Sequence, residues 1–559
     1  MALQHKLKLA CDLIRAHFGE LVEKVCRCLV YKGPLVLPEI ARYTEMNPTQ
    51  LKNSILVLVQ HNCIQGYKLF QEAAGPNAPK VFTSYLGLTD NILHRTRFPK
   101  FLSIVRDELG GEAEALLEGL LEHGRLTLEQ VIQRAAARAG KAEAEVELPL
   151  KQTFAALVRS HYIERCPTPE PTVAPKAMEP PKKIPRGPSS KGRAAKIAAI
   201  KNAESEYDRI VSAAAALDTE RFRVPSSLEE VGETGMENGD VTMADPVASG
   251  QKRKRDALAM DAKTMAVVDE KEVLWRANYE ELVRKLRHQA CVEQVKSRID
   301  AAAGTVLGAM LEMTRNSETV AKPEVSAPLS MAAIMQAVTM TPEGRTMTME
   351  RIRGALHQMA QETIGFITRS GEGGSSYTIN MNKIIELARR NEVEAIVLQR
   401  YGRESCRIFR LLMMKGQMEQ KQVAGMAMVQ LKDARELLYR LLKEQYVCVQ
   451  EVAKSAEHSA QKSIYLWNIN WHVIKLLVLD DMYHAAANLQ QRLTHELEQE
   501  QEVLELLKQI QAAKASGVDT HVTLTQRQQE QVKRIRRVAS ILEASLLKLD
   551  SAILLFHDF

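Results

Sequence analysis

Apolar residues recur at three- and four-residue intervals along most of the chain, and three of the helices they mark end alike. Leu29–Leu35 (LVYKGPL), Leu120–Leu126 (LLEHGRL) and Leu412–Met418 (LMMKGQM) share the pattern Leu-x-x-x-Gly-x-[Leu/Met]. A glycine at that place ends a helix by taking a backbone conformation that costs other residues dearly. Each motif is followed by a short helical stretch, at 37–44, 127–139 and 419–427. A longer amphipathic helix comes next, at Thr49–His61, Leu148–His161 and Leu431–Glu444. A β-leaning run then begins at Cys63, Tyr162 or Tyr446. The separations 63 − 33 and 446 − 416 are both 30 residues, whereas 162 − 124 is 38, which predicts an inserted loop over 139–147 in the second copy.

A more degenerate fourth copy is predicted with helices at 273–314, Met331–Val338 and Met347–Glu362. Short strands at 364–367 and 377–379 flank the polar turn 370–376. Runs 63–86 and 446–471 have the same two-strand shape, that of a hairpin. Three helices and a hairpin make the winged-helix variant of helix-turn-helix. Internal repetition carries more weight than any single copy. Beyond His472 the period changes. Met482, Ala486, Leu489, Leu493, Leu497, Leu504 and Leu507 form one coiled-coil-like seam. Ile535, Val538, Leu542, Leu546, Leu549, Ile553 and Phe556 form another, after a polar break at 513–521. The simplest arrangement is an antiparallel coiled-coil hairpin, with one face intramolecular and the remainder offered to another chain.

Between these blocks eight prolines fall within 167–188, followed by a basic run (176–201), an acidic run (204–245) and Lys252-Arg253-Lys254-Arg255. Little there is apolar enough to offset the entropy of ordering, so 167–255 reads as a mostly disordered Pro/charge-rich linker with a short helix near 193–217. The predicted division is therefore winged helices at 1–90, 91–166, 256–385 and 386–471, the linker at 167–255, and the coiled-coil hairpin at 472–559. The fold class is mainly α, with small β wings.

Aromatic residues are 5% of the chain, which argues against a large β-sandwich. No apolar run approaches the ~20 residues that span a bilayer, and the N-terminal stretch lacks a signal-peptide core. The expectation is a soluble intracellular chain. The eight cysteines are scattered, and Cys26-x-Cys28 lies in an apolar stretch that suits buried thiols better than a metal. There is no P-loop, H-E-x-x-H, EF-hand loop or kinase signature set. Gly371–Gly374 belong to a hairpin turn, Asp480-Asp481 read as solvated charges, and His17, His61, His123 and His161 sit near helix ends with no placed partner. The reading is a non-catalytic chain with no cofactor and no metal.

Net charge is only +6, so its placement matters more than its total. Winged helices meet duplex DNA through the third helix and the wing, and phosphate contacts need Lys or Arg there. The third helices carry Lys52; Lys151 and Arg159; Arg351 and Arg353; and Lys432, Arg435, Arg440 and Lys443, the last set balanced by Asp433, Glu436 and Glu444. That is sparse for base readout. The candidates for non-specific backbone contact are Lys151, Arg159, Lys432 and Arg435, with Lys182, Lys183, Arg186, Lys191 and Arg193 of the linker. Lys252, Arg253, Lys254 and Arg255 form a candidate nuclear import signal.

Several blocks together resemble one family. They are HFGELVEKV (17–25), LVQHN (58–62), LLEHGRLTLEQV (120–131), FAALVRSHYIERCP (154–167), LWRANYEELVRKLRHQACVEQVKSRID (274–300), FRLLMMKGQMEQKQVAGMAMVQLKDARELLYRLL (409–442) and YLWNIN (465–470). The chain resembles the third-largest subunit of eukaryotic RNA polymerase III, the largest member of that enzyme's three-subunit initiation subcomplex, itself related to transcription factor IIE alpha. The resemblance implies four extended winged helices and a C-terminal coiled coil. It implies docking on the polymerase clamp and on two smaller subcomplex subunits. It also implies help in recruitment to promoter-bound initiation factor, in DNA melting and in open-complex stabilisation, for transfer RNA, 5S ribosomal RNA and other short transcripts in the nucleus. Two alternatives remain open from the residues alone: a free-standing winged-helix DNA-binding regulator, and a winged-helix scaffold of another assembly.

Overall fold

A computed structural model describes residues 4–71, 80–140, 143–167, 171–173, 206–214, 218–225, 273–315, 317–318, 322–362, 364–370, 376–453, 463–515 and 525–559. The chain divides into two compact units, residues 7–282 and residues 283–559 together with the first six. Both are mainly helical with small, largely antiparallel sheets, the class predicted from the sequence pattern.

The helix-ending glycines behave as their spacing requires. Gly33, Gly124 and Gly416 have φ of +86°, +83° and +78°. Their N–H groups donate to the carbonyls of Leu29, Leu120 and Leu412 at 3.0, 2.8 and 2.9 Å. A second set of glycines, unmarked in the sequence pattern, stands fourteen residues earlier (33 − 19, 124 − 110, 416 − 402). Gly19, Gly110 and Gly402 share φ near +86° with ψ near 180°. This extended positive-φ region is essentially restricted to glycine. Each pair therefore brackets a helix of fixed length, such as Glu20–Lys32 and Gly111–His123.

In the first unit, Glu20–Lys32, Leu37–Thr44 and Pro48–Gln60 are followed by the wing strands Ile64–Gln71 and Lys80–Gly87. The wing register runs from Ile64↔Gly87 to Gln71↔Lys80. Leu35–Val36, directly after the Gly33 turn, pairs with Ser84 and Tyr85 and gives the sheet a third strand. The second repeat has Gly111–His123, Leu128–Ala139 and Glu143–Arg159, so the inserted stretch predicted over 139–147 is largely absorbed into the start of its third helix. Its sheet contains Leu126–Thr127 and Ile163–Arg165, and the strand between them is Leu274–Ala277. Trp275 is buried there, edge-on to Phe154 at 5.3 Å. The sequence division places Leu274–Ala277 with the repeat that follows, but its hydrogen bonds join it to the repeat that precedes. Residues 166–273 thus leave and re-enter one wing.

Composition predicts disorder across 167–255, yet three pieces of it are built into the first unit. Thr172–Val173 pairs in parallel with Lys68 and Leu69. Helix Glu206–Ala214 inserts Ile210 into a small core with Tyr67, Leu86 and Leu88. Helix Asp218–Arg221 brings Arg221 to Glu164. Of the short helix predicted near 193–217, Glu206–Ala214 is helical and the parts before 206 and after 214 lie outside the described residues.

In the second unit, Ala301–Arg315, Met331–Met340 and Met349–Gln361 pack with strands Ile367–Ser370 and Ser376–Ile379 around Val306, Leu307, Met310, Ile334, Ile352, Leu356 and Phe366. The segment Met381–Lys415 is two helices broken at Gly402. It is followed by Gln420–Ala427, Leu431–Lys443 and the hairpin Cys448–Ala453 with Ser463–Asn468. Across both units the strand that precedes the second helix, the second wing strand and the first wing strand lie in the same order in all four described sheets. Trp471–Gln499, Gln501–Ala515 and Gln526–His557 form the C-terminal hairpin, in which the ring of His557 lies edge-on to Tyr483 at 6.1 Å. Ile553 and Phe556 are buried, while Leu542, Leu546 and Leu549 are only half-buried.

Candidate interaction surfaces

The predicted contact residues do not converge on one site. Lys151 is half-buried and engaged by Glu147 at 2.7 Å, one turn earlier on its own helix, which spends its charge locally. Arg159 is exposed at the end of that helix. Lys432 and Arg435 are exposed on Leu431–Lys443, among the exposed Asp433, Glu436 and Glu444. Lys182, Lys183, Arg186, Lys191, Arg193 and Lys252–Arg255 lie outside the described residues.

Sequence reasoning missed a clasp on the second wing. The buried Glu164, 3% exposed, accepts from Arg276 Nε at 2.7 Å and from Arg221 Nε on its other oxygen. Arg221 also donates to Glu280 at 2.9 Å. The neighbouring Phe222 stacks on His161 with ring centroids 4.0 Å apart, and Arg165 lies over the Trp275 ring at 5.4 Å. Burial lowers the Arg221 pKa, but Glu164 and Glu280 outweigh it and hold the guanidinium above its usual range. The cavity of about 120 Å³ between these groups, Gln65, Leu88, Val211 and Ala214 is below the ~300 Å³ typical of ligand pockets. Both Glu164 oxygens are committed to arginines, so the carboxylate is no free base. The arrangement fastens a segment.

The thiols tell a similar story. Cys11, Cys63, Cys166 and Cys291 are pushed by burial to about 11, 11, 11 and 12, far from the thiolate a nucleophile or metal ligand needs. Among the described residues no three His, Cys, Asp or Glu side chains are grouped to hold a metal. No described helix is long and apolar enough to cross a membrane.

Apolar side chains break the surface around the turn between Gln420–Ala427 and Leu431–Lys443. Met428 is 87% exposed at a positive φ of +52°, with Met426, Leu431 and Tyr439 also exposed nearby in sequence. Methionine-rich exposed turns adapt to partner surfaces. The repeated helix-helix-helix-hairpin units and these surfaces define a tandem winged-helix protein.

Comparison with known proteins makes that class specific. Residues 8–67 match the helix-turn-helix domain of RNA polymerase III subunit RPC82, residues 152–388 match RNA polymerase III subunit RPC82, and residues 393–469 match the C-terminal winged-helix domain of POLR3C. The chain is 26% identical to the human DNA-directed RNA polymerase III subunit RPC3, over all of this chain and 98% of that protein. It is 26% identical to the zebrafish (Danio rerio) subunit over 98% of this chain and 96% of that one. It is 23% identical to the Dictyostelium discoideum subunit over 99% and 100%. The chain belongs to the RPC3/RPC82 family of RNA polymerase III subunits.

Proposed function

We propose that this chain is a non-catalytic, nuclear subunit of DNA-directed RNA polymerase III. It anchors the initiation subcomplex on the polymerase clamp, holds the two smaller subunits of that subcomplex, and meets promoter-bound initiation factor. Its contribution to transcription of transfer RNA, 5S ribosomal RNA and other short RNAs is recruitment, DNA melting and stabilisation of the open complex. The observation that carries this reading is the end-to-end alignment with RPC3 subunits over a chain of repeated winged-helix units. Small rigid domains in series spread many modest contacts over a large area. We divide the ordered chain into four such domains, with Leu274–Ala277 completing the second, and assign partner docking to the exposed Met426–Met428 turn and the C-terminal hairpin. Lys432, Arg435, Arg159 and the basic run at 176–201 add non-specific, salt-dependent attraction to DNA.

The test is affinity purification of the tagged full chain from nuclear extract, followed by transcription of a transfer RNA gene in extract depleted of it. The expected result is co-purification of the polymerase III core, and loss of promoter-dependent but not tailed-template synthesis on depletion. Recovery without any polymerase, or tight selection of one duplex sequence by the isolated chain, overturns the reading in favour of a free-standing regulator.

A further inference from the structure

Among the described residues, His288 is the one histidine whose two ring nitrogens are both buried without a hydrogen-bond partner. It is 5% exposed. Buried polar atoms are nearly always paired, so a ring left bare on both sides needs a reason. Burial first, then Arg284 and Lys285, hold its pKa down at about 3. The neutral ring offers one donor and one acceptor, and no charge. His288 lies on the helix Tyr279–Arg298, which Ile299 and Asp300 join to Ala301–Arg315.

Between these two helices runs a groove of about 450 Å³, inside the ~300–1,000 Å³ range of ligand sites, and His288 lines it. Near the turn the helices close up, with the stem of Lys296 lying across Gly304. One turn further on, Gly308 leaves the floor open: a Cβ built there meets Val292 Cγ2 at 3.6 Å, an ordinary contact. Val292, Gly308 and the buried Leu311 make that floor apolar. At the far end Lys285 donates to Glu312, which also accepts from Arg315 at 3.1 Å. Along one side Gln289, Glu293 and Lys296 form an exposed rim, about one turn apart. Opposite charges three residues apart on a helix can pair. Among the described residues, however, no ion pair engages Glu293 or Lys296. From Lys285 to Lys296 the helix rises about 16 Å, so the space is a trough three turns long.

We propose that an amphipathic helix of another polymerase III subunit lies in this trough. An aliphatic side chain of that helix fills the floor over Val292, Gly308 and Leu311. A hydroxyl or carboxamide one turn away meets His288, and a basic and an acidic residue one turn apart meet Glu293 and Lys296. Three observations select that occupant. A helix laid in a groove uses anchors three and four residues apart, which is the spacing of His288, Val292 and Lys296. The unpaired rim charges have both signs, whereas the phosphates of a nucleic acid would meet Glu293 and Glu312. The neutral ring above an apolar floor suits an uncharged polar group, since a hydroxyl or carboxamide satisfies either nitrogen and a methyl group neither. The trough is separate from the Met426–Met428 turn and the C-terminal hairpin named above. The proposal rests on the reading that the chain is an assembled polymerase III subunit.

In the experiment, polymerase III is purified through the tagged full-length chain, and each co-purifying subunit is quantified per copy of that chain after a high-salt wash. Gly308→Leu fills the floor, His288→Leu removes the polar atoms of the ring, and Glu293→Lys/Lys296→Glu reverses the rim charges. One subunit is expected to fall to about a tenth of the parent level or lower with Gly308→Leu and with His288→Leu, as for loss of a buried anchor. Charge reversal lowers it less, and Gly308→Ala, which adds only an ordinary contact, retains it. A photo-reactive amino acid replacing Gln289 is expected to crosslink to a helical stretch of that same subunit carrying the side chains described. The isolated His288→Leu chain is expected to melt at or above the parent temperature at neutral pH, because it loses no hydrogen bond; a purely structural role for the ring would lower it. Unchanged retention in all three variants, no crosslink from Gln289, or a crosslink to nucleic acid or to a second copy of this chain overturns the proposal and leaves the subunit reading in place. Failure of the parent chain to bring down polymerase III overturns both.

Discussion

Replacing Glu164 by Gln tests whether the wing insertion is fastened by charge. Gln keeps the shape and one acceptor oxygen, but it turns an NH2 toward one of two arginine donors. Glu164 is 3% exposed, whereas Arg221 and Arg276 are 18% and 20% exposed, so water recovers part of the loss. A charge-assisted hydrogen bond is worth ~1.5–3 kcal/mol, and removing one partner of a fully buried pair costs ~3–5 kcal/mol. Allowing for screening on the arginine side, the expected cost is about 2 kcal/mol, roughly a thirtyfold rise in the fraction of time the clasp is open. Opening exposes the bonds after Arg221 and Arg223 to trypsin. Brief native-state proteolysis, with the new termini identified by mass spectrometry, reads that fraction directly when reclosing outpaces cleavage. Glu280→Gln is the matched control: its carboxylate is 59% exposed, and its loss is expected to change the rate about threefold or less. Equal cleavage rates at Arg221 and Arg223 in the parent and Glu164→Gln would show that stacking of Phe222 on His161, not the carboxylate, holds the segment.

Four further outcomes are expected. Gly402→Ala forces an L-residue into a glycine-only conformation in otherwise open space; it should cost about 1–3 kcal/mol and lower the melting temperature by several degrees. Gly425→Ala, at an exposed helical position, should instead stabilise by about 0.5–1 kcal/mol in the same calorimetric scan. Ile553→Asp, at a buried seam position, should cost about 3 kcal/mol or more in urea denaturation, and Leu542→Asp, half-buried, roughly half that or less. Burial, reinforced by Arg284 and Lys285, holds His288 down at about 3. The unfolded imidazole takes a proton below about 6.5 while the folded one refuses it, so stability is full above that value and is lost as pH falls toward 3. By pH 4.5 this should amount to about 2–3 kcal/mol, and His288→Leu should melt with a shallower pH dependence between 7 and 4.5.

What the residues disclosed locally and what they withheld follow a physical line. Gly33, Gly124 and Gly416 end helices whose apolar period is strong, so their motif is visible beside it. Gly19, Gly110 and Gly402 interrupt helices without so marked a flanking pattern, and the interval of fourteen to the later glycine is what betrays them. The two-residue strands Leu35–Val36, Leu126–Thr127 and Met418–Glu419 are too short for a period of two to register. Leu274–Ala277 reads as strand-competent, but its partner Ile163–Arg165 lies on the far side of the proline-rich stretch, and pairing across such a distance leaves no local mark. The ordered pieces of that stretch are polar by composition and owe their order to surfaces elsewhere, as Ile210 does to Tyr67 and Leu88. The exposed arginines of Met349–Gln361 are present in the letters. Their freedom from counter-ions, and the pairing of Lys151 with Glu147, emerge only in three dimensions.

Because residues 166–273 depart from and return to neighbouring strands, their two ends are pinned about 5 Å apart whatever lies between. Lengthening such an excursion costs only the logarithm of its size, near 0.6 kcal/mol for each doubling. Relatives can therefore gain or shed sequence there at little cost so long as Thr172–Val173, Glu206–Ala214 and Asp218–Arg221 keep their contacts, and a tag or fluorophore spliced in outside those three pieces should leave assembly intact.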